Sequence, residues 1–325
     1  MGIQFEWRLM AHLPKRIFLL AQMEGLLSSA ILFTGLLIVL GFTAKIFAVG
    51  RFDVWTTAVI LTACGAVSSS LTLHYYARSS TEAAKKLHIL EYLVSLHVFV
   101  PILTLAFLYS FFHIDQVDGA RHSGWVWLGI HHAVGFGLAL ILFYLLKVRL
   151  TESERELLIL GGITLSAGVA AYLHLSPVVI CFIAGIIFAN LPGFNNLLME
   201  NVLRHAERPV YFIMLILAGS LWNFKSLFAW GFLVIYILIR LLAKGFALWA
   251  VSRAEPRLRL RFPTLGGIIA QGPLAIAMVV GYKQLYAGPL LDTVVTAILA
   301  GGFINELLAG RLLQGVLPPP EPQKS

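Results

Sequence analysis

The stretch from Leu227 to Ser252, LFAWGFLVIYILIRLLAKGFALWAVS, is apolar and long enough to cross a bilayer as a helix, yet it carries Arg240 near its middle and Lys244 one turn on. An arginine at that depth costs roughly 2.5 to 3.5 kcal/mol on insertion scales, so it requires a partner, a water-filled cavity or a purpose. Spacing of four residues puts both cations on one helix face. Two readings fit that face. It lines a polar pathway, as in a transporter, or it is structural, with Lys244 snorkelling to the interface and Arg240 tying together unwound backbone carbonyls.

Composition bounds the rest. At 59% hydrophobic and 12% charged residues, the chain has too few polar side chains to cover a globular surface, which makes it a polytopic membrane protein. The net charge of +8 comes from basic residues scattered between apolar runs rather than gathered in a patch, so nucleic acid is not an expected partner. Cys64 and Cys181 lie inside apolar runs, outside any CxxC or Cys/His cluster, and neither a disulfide nor a metal site is expected to organise the fold. The N-terminal residues MGIQFEWRLMAHLPKR carry charges ahead of the first apolar run but no small-residue cleavage site, unlike a cleaved signal peptide.

A bilayer core of about 30 Å asks for about 20 apolar residues. On that ruler an all-α fold of about ten spans is expected, at 17–42, 54–76, 87–112, 124–147, 155–173, 176–191, 208–224, 227–252, 264–285 and 291–313. Residues 1–16 are expected to be a cytoplasmic segment and 17–313 the transmembrane domain. Residues 314–325, ending PPPEPQKS, read as an extended, disordered cytoplasmic tail with no regulatory domain after it.

Charge sets the orientation. With the N-terminus inside, most of the 24 Lys and Arg residues fall in cytoplasmic segments, while Lys45, Arg51, Arg121, Lys225 and Lys283 fall outside. Both termini are therefore expected in the cytoplasm. The first three spans then start from the inner face and the last three from the outer face. Such inverted repeats build many secondary transporters, whose site lies near the midplane between interrupted helices.

The middle span of each triplet carries signs of interruption. In 54–76, Ser68, Ser69, Ser70 and Thr72 concentrate hydroxyls where lipid would favour leucine; in 264–285, Gly266, Gly267, Gln271, Gly272 and Pro273 fall in the matching place. Pro273 lacks an N–H and crowds the preceding turn. Freed backbone groups at that depth are tolerated where they are buried in protein or line a cavity. Small residues also serve simply to let helices pack closely.

Other ionisable groups sit inside the spans. His97, in 87–112 with Glu91 and Pro101, is either a proton-carrying group, since an imidazole changes charge near neutral pH, or a neutral ring satisfied by a backbone carbonyl. Glu24 and Glu306, in the first and last spans, are costly unless paired, and either is able to neutralise Arg240 or Lys244. His131 and His132 are adjacent and point in different directions on a helix, which disfavours a shared metal. The stretch 194–204 is amphipathic and reads as a cytoplasmic surface segment. Arg257, Arg259 and Arg261 alternate in an inner loop suited to anionic headgroups. No nucleophile and base pair stands out, so neither an enzyme nor a cofactor is expected.

Several stretches together resemble the cation:proton antiporter superfamily, in particular its bacterial sodium/hydrogen and potassium-efflux exchanger branch. These are Leu175-Ser176-Pro177-Val178-Val179 with Gly185, Ala189-Asn190-Leu191-Pro192, Glu207-Arg208-Pro209-Val210-Tyr211 and Leu217-Ala218-Gly219. Arg240 with Lys244, Ala270-Gln271-Gly272-Pro273-Leu274-Ala275 and Asn305-Glu306-Leu307 complete the pattern. The resemblance implies a core bundle with two crossed broken helices, 54–76 and 264–285 here, moving against a dimerisation scaffold to exchange monovalent cations for protons. It also implies that the first two or three family helices would precede Gly2, with homodimerisation depending on them.

The chain departs from the family at one telling place. Active members carry an aspartate in the helix matching 87–112, which alternates between a proton and a cation; here the stretch reads Val94-Ser95-Leu96-His97-Val98-Phe99. Sodium favours hard oxygen ligands, which an imidazole does not supply. The expectation is therefore a sodium or potassium/proton antiporter with an altered ion site in the bacterial cytoplasmic membrane. The alternatives are a non-transporting sensor or partner subunit, and a proton-only or anion carrier built on Arg240, Lys244 and His97.

Overall fold

The computed structural model describes residues 2, 5, 15–69, 94–114, 123–148, 151–191, 196–254 and 266–314. Among them the regular elements are all helical: α1 Lys15–Phe47, α2 Arg51–Ala66, α3 Phe99–Phe111, α4 Gly124–Leu146, α5 Glu152–Tyr172, α6 Pro177–Asn190, α7 Asn196–Leu221, α8 Leu227–Ala254, α9 Gly266–Ile269, α10 Gly272–Leu285 and α11 Leu291–Gln314. Seven stretches are long and apolar enough to cross a membrane: 16–47, 94–111, 124–146, 153–172, 227–254, 266–285 and 291–312. Two shorter apolar helices are Pro177–Asn190 and Pro209–Leu221. Large apolar side chains such as Leu157, Ile216, Leu227 and Leu242 point outward, as lipid contact requires and water would penalise. Among the described residues the protein is all-helical, with the apolar helices of an integral membrane protein.

Boundaries follow local chemistry. The Thr151 side chain and Glu154 form a reciprocal capping box at the start of α5. Ser176 Oγ accepts from Val179 N at 3.4 Å at the start of α6, and Pro177 stands where its missing N–H costs nothing. The structure differs from expectation at 194–224. A separate surface segment and span were expected, but α7 is one 26-residue helix running through Pro209. The 16-residue α2 ends early, and residues 70–93, including Ser70, Thr72 and Glu91, lie outside the described residues.

The chain divides into two units. One comprises Met1–Leu13, Ile102–Ser220 and Val280–Ala287. In it α4, α5 and α6 pack on one another. Ala139, Phe143, Ile159, Phe188 and Val202 form one buried cluster there, and Ala170, Leu175 and Ile180 another. The other comprises Pro14–Pro101, Leu221–Val279 and Gly288–Ser325. In it α1 lies against α2 and α8, α8 against α11, and α11 against α2 and α9.

In this second unit α8 buries a stripe at helical spacing, Phe232, Tyr236, Arg240, Ala243, Lys244, Ala247 and Val251. Both cations thus face protein, not lipid.

Candidate functional site

Two helix breaks meet beneath that stripe. Helix α2 stops at Ala66, and Val67, Ser68 and Ser69 continue without regular structure. Helix α9 stops at Ile269, two residues intervene, and α10 restarts at Gly272. Pro273 does not cause this break. It stands in the first turn of α10, where a missing N–H is tolerated. Gly272 makes the reversal, with φ of +64°, and a Cβ there would lie 2.6 Å from Ser69 Cβ. Only glycine fits both demands. The breaks are joined by Ser69 N donating to Ala270 O at 2.8 Å and Ser68 Oγ donating to Ile268 O at 2.8 Å.

A helix ends with four carbonyls that have no partner in the helix, and in a bilayer water does not supply one. Side chains from elsewhere take four consecutive carbonyls at the end of α2. Gln271 Nε2 donates to Cys64 O at 3.0 Å and Arg240 Nε to Gly65 O at 2.8 Å. Lys244 Nζ donates to Ala66 O at 2.7 Å and Arg240 Nη2 to Val67 O at 2.9 Å. Arg240 Nη1 then donates to Ile269 O at 2.5 Å, so one guanidinium spans both breaks. Cations at a helix C-terminus also oppose the negative end of its dipole. The structural reading of Arg240 as a tie between unwound carbonyls therefore describes its contacts; Lys244 is fully buried and does not snorkel.

Beside this joint lies a fully buried ionisable cluster. The Glu24 carboxylate contacts His97 Nδ1 and lies 3.4 Å from Lys244 Nζ. Lys244 Nζ is also 3.1 Å from Ser68 Oγ and 3.1 Å from His97 Nε2. Local sequence explains how these groups reach one another. Gly25 brings α1 so close to the neighbouring segment that an added Cβ would sit 2.9 Å from Val100 and 3.4 Å from His97. Gln22 Nε2 donates to Leu96 O at 3.0 Å and fixes the same approach. Pro101 has no N–H for the His97 carbonyl, and the helical path of 94–97 is interrupted at Val98 before α3 begins.

The imidazole has two partners for one nitrogen. His97 Nε2 lies 2.6 Å from Ala66 O, which only accepts, and 3.1 Å from Lys244 Nζ, which only donates when charged. With a hydrogen on Nε2 the ring donates to Ala66; without it the ring accepts from Lys244. One proton on Nε2 therefore decides whether His97 holds Lys244.

The expected residues divide as follows. Arg240, Lys244, His97, Glu24, Ser68, Ser69, Gln271 and Gly272 come together at the two breaks. Glu306 accepts from Gly272 N at 3.2 Å, a carboxylate at the positive end of α10. His131 and His132 diverge as their spacing implies, with His131 buried and His132 exposed.

Sequence reasoning missed Tyr236, whose hydroxyl accepts from Gln271 Nε2 at 3.0 Å. Its position one turn before Arg240 on the same face was the available signal. Of the two carboxylates that sequence left as neighbours for His97, Glu24 and Glu306, the structure shows Glu24 against it. The chain matches no protein-family model and no curated protein sequence.

Proposed function

We propose that the protein is a secondary active transporter exchanging a monovalent cation, sodium or potassium, for protons, in a bacterial cytoplasmic membrane with both termini inside. The observation that carries this reading is the Glu24, His97 and Lys244 cluster at the meeting point of two interrupted helices. The stretch Val94–Phe99 lacks the aspartate expected from the resemblance to cation:proton antiporters, and Glu24 supplies a carboxylate from α1 against His97.

The Lys244 ammonium rests among Glu24 Oε1, Ser68 Oγ and Ala66 O, the hard oxygen ligands a monovalent cation needs. An entering cation competes with Lys244 for these oxygens. A proton on His97 Nε2 adds positive charge beside the oxygens the cation would take, so proton binding and cation binding oppose each other. That opposition is the requirement for exchange. In this reading 54–76 and 264–285 are the crossed broken helices of inverted repeats, and Arg240 keeps their ends together as access alternates.

A second reading is a non-transporting sensor or partner subunit. Its support is that all three Arg240 bonds described end on backbone carbonyls and the cluster is fully buried. Vesicles holding the purified protein and a pH dye separate the two. The transporter dissipates an imposed proton gradient when sodium or potassium is added, and Glu24→Gln or His97→Ala abolishes that response. A wild type with no cation-dependent proton flux leaves the non-transporting reading.

A further inference from the structure

Helices α5 and α7, which belong to one unit, leave a groove between them. Its described lining is Glu156 and Leu160, one turn apart on α5, and Val202 and Ala206, one turn apart on α7. The cavity measures about 350 Å³, within the roughly 300–1,000 Å³ of small-molecule sites. Val202 belongs to the buried cluster of Phe143 and Ile159, so core side chains floor the groove. Ala206 contributes only a methyl group, which leaves the space above that floor open. Leu157 and Leu160 are exposed, as on a wall that meets lipid. Glu156 is the one charge on the described lining. The apolar stretch of α5 begins at residue 153, which puts Glu156 in its first turn, at the level of lipid headgroups. Glu154 is engaged by Thr151, whereas the exposed Glu156 carboxylate has no hydrogen bond or ion pair to another described residue.

We propose that this groove binds a phospholipid with a primary ammonium headgroup, phosphatidylethanolamine, whose ammonium meets Glu156 while an acyl chain lies along Leu160, Val202 and Ala206. Charge chooses the headgroup. An ammonium donates charge-assisted hydrogen bonds to a carboxylate, a choline headgroup has no N–H to donate, and an anionic headgroup is repelled. A water-soluble amine would satisfy Glu156 but leave the apolar walls unfilled. The rest of the chain makes the preference distinctive. A net charge of +8 draws anionic lipids to the protein as a whole, so selection of an ammonium headgroup has to come from a local acid. The site stands apart from the exchange reading, since the Glu24 cluster belongs to the other unit.

The test uses the full chain in detergent, titrated with dioleoyl phosphatidylethanolamine, phosphatidylglycerol or phosphatidylcholine. Native mass spectrometry reads the fraction carrying bound lipid. The wild type binds phosphatidylethanolamine most tightly. Glu156→Gln, at an exposed position where folding is not at stake, weakens that binding about tenfold, the loss expected from one hydrogen bond to a charged group, and removes its advantage over the other two lipids. Ala206→Leu, which fills the groove, removes the same advantage with Glu156 still present. Equal binding of the three lipids by the wild type, or tightest binding of phosphatidylglycerol, overturns the inference, as does a preference for phosphatidylethanolamine that survives either substitution.

Discussion

Glu24 and Lys244 are 220 residues apart in the chain and 3.4 Å apart in space, with both side chains fully buried. Neither charge has solvent to fall back on. Removing one partner of such a pair costs about 3–5 kcal/mol, because the other is left uncompensated, whereas replacing both by apolar groups is far cheaper. Glu24→Gln should therefore lower the unfolding midpoint of the purified protein more than Glu24→Gln combined with Lys244→Met does. A double variant no more stable than the single one would mean that Glu24 and Lys244 do not form an ion pair.

Arg240→Lys should fail as a conservative change. The guanidinium fork reaches carbonyls on both sides of the joint, Gly65 and Val67 from α2 and Ile269 from α9. An ammonium is a compact point charge that does not reproduce that fork. Each buried carbonyl left without a donor costs about 1–3 kcal/mol, so losing two is expected to cost at least about 2 kcal/mol. Thermal unfolding in detergent measures this, and an unchanged midpoint would remove Arg240 from its structural role.

Gly272→Ala introduces two separable penalties. Positive φ costs a residue with a Cβ roughly 1–2 kcal/mol, and the new atom would lie 2.6 Å from Ser69 Cβ and Oγ. Adding Ser69→Gly should recover the steric part but not the backbone part. Midpoints of the two single variants and the double variant decide this. Strictly additive losses would show that the breaks do not touch.

Orientation is checked by reporter fusions. The distribution of Lys and Arg predicts Ser325 inside and residues 113–123 outside. A fusion at each should report those sides. The reverse result would remove the basis for opposite orientation of the first and last three spans.

Arg240, Lys244 and the glycine-rich break were legible because a bilayer makes charge and free backbone conspicuous: each is a local violation of a hydrophobic run. The partner of each violation was not legible. Sequence could say that Glu24 and Glu306 each needed compensation, yet not that Glu24 meets Lys244 and His97 while Glu306 meets the start of α10. Those pairings depend on how closely α1 approaches the His97 segment, which Gly25 sets without leaving any periodic trace. Pro273 shows the opposite error. Its chemistry was read correctly as helix-breaking, but in this position it begins a helix.

The Arg240 contact with Gly65 spans 175 residues of sequence, and this imposes an order on the protein's birth. Helix α2 leaves the ribosome long before the side chains that cap it exist. At about 5–20 residues per second, roughly 9 to 35 seconds pass before Arg240 is made. Throughout that interval the nascent segment has carbonyls that lipid will not satisfy. It must wait beside the insertion machinery or another polar host until α8 arrives.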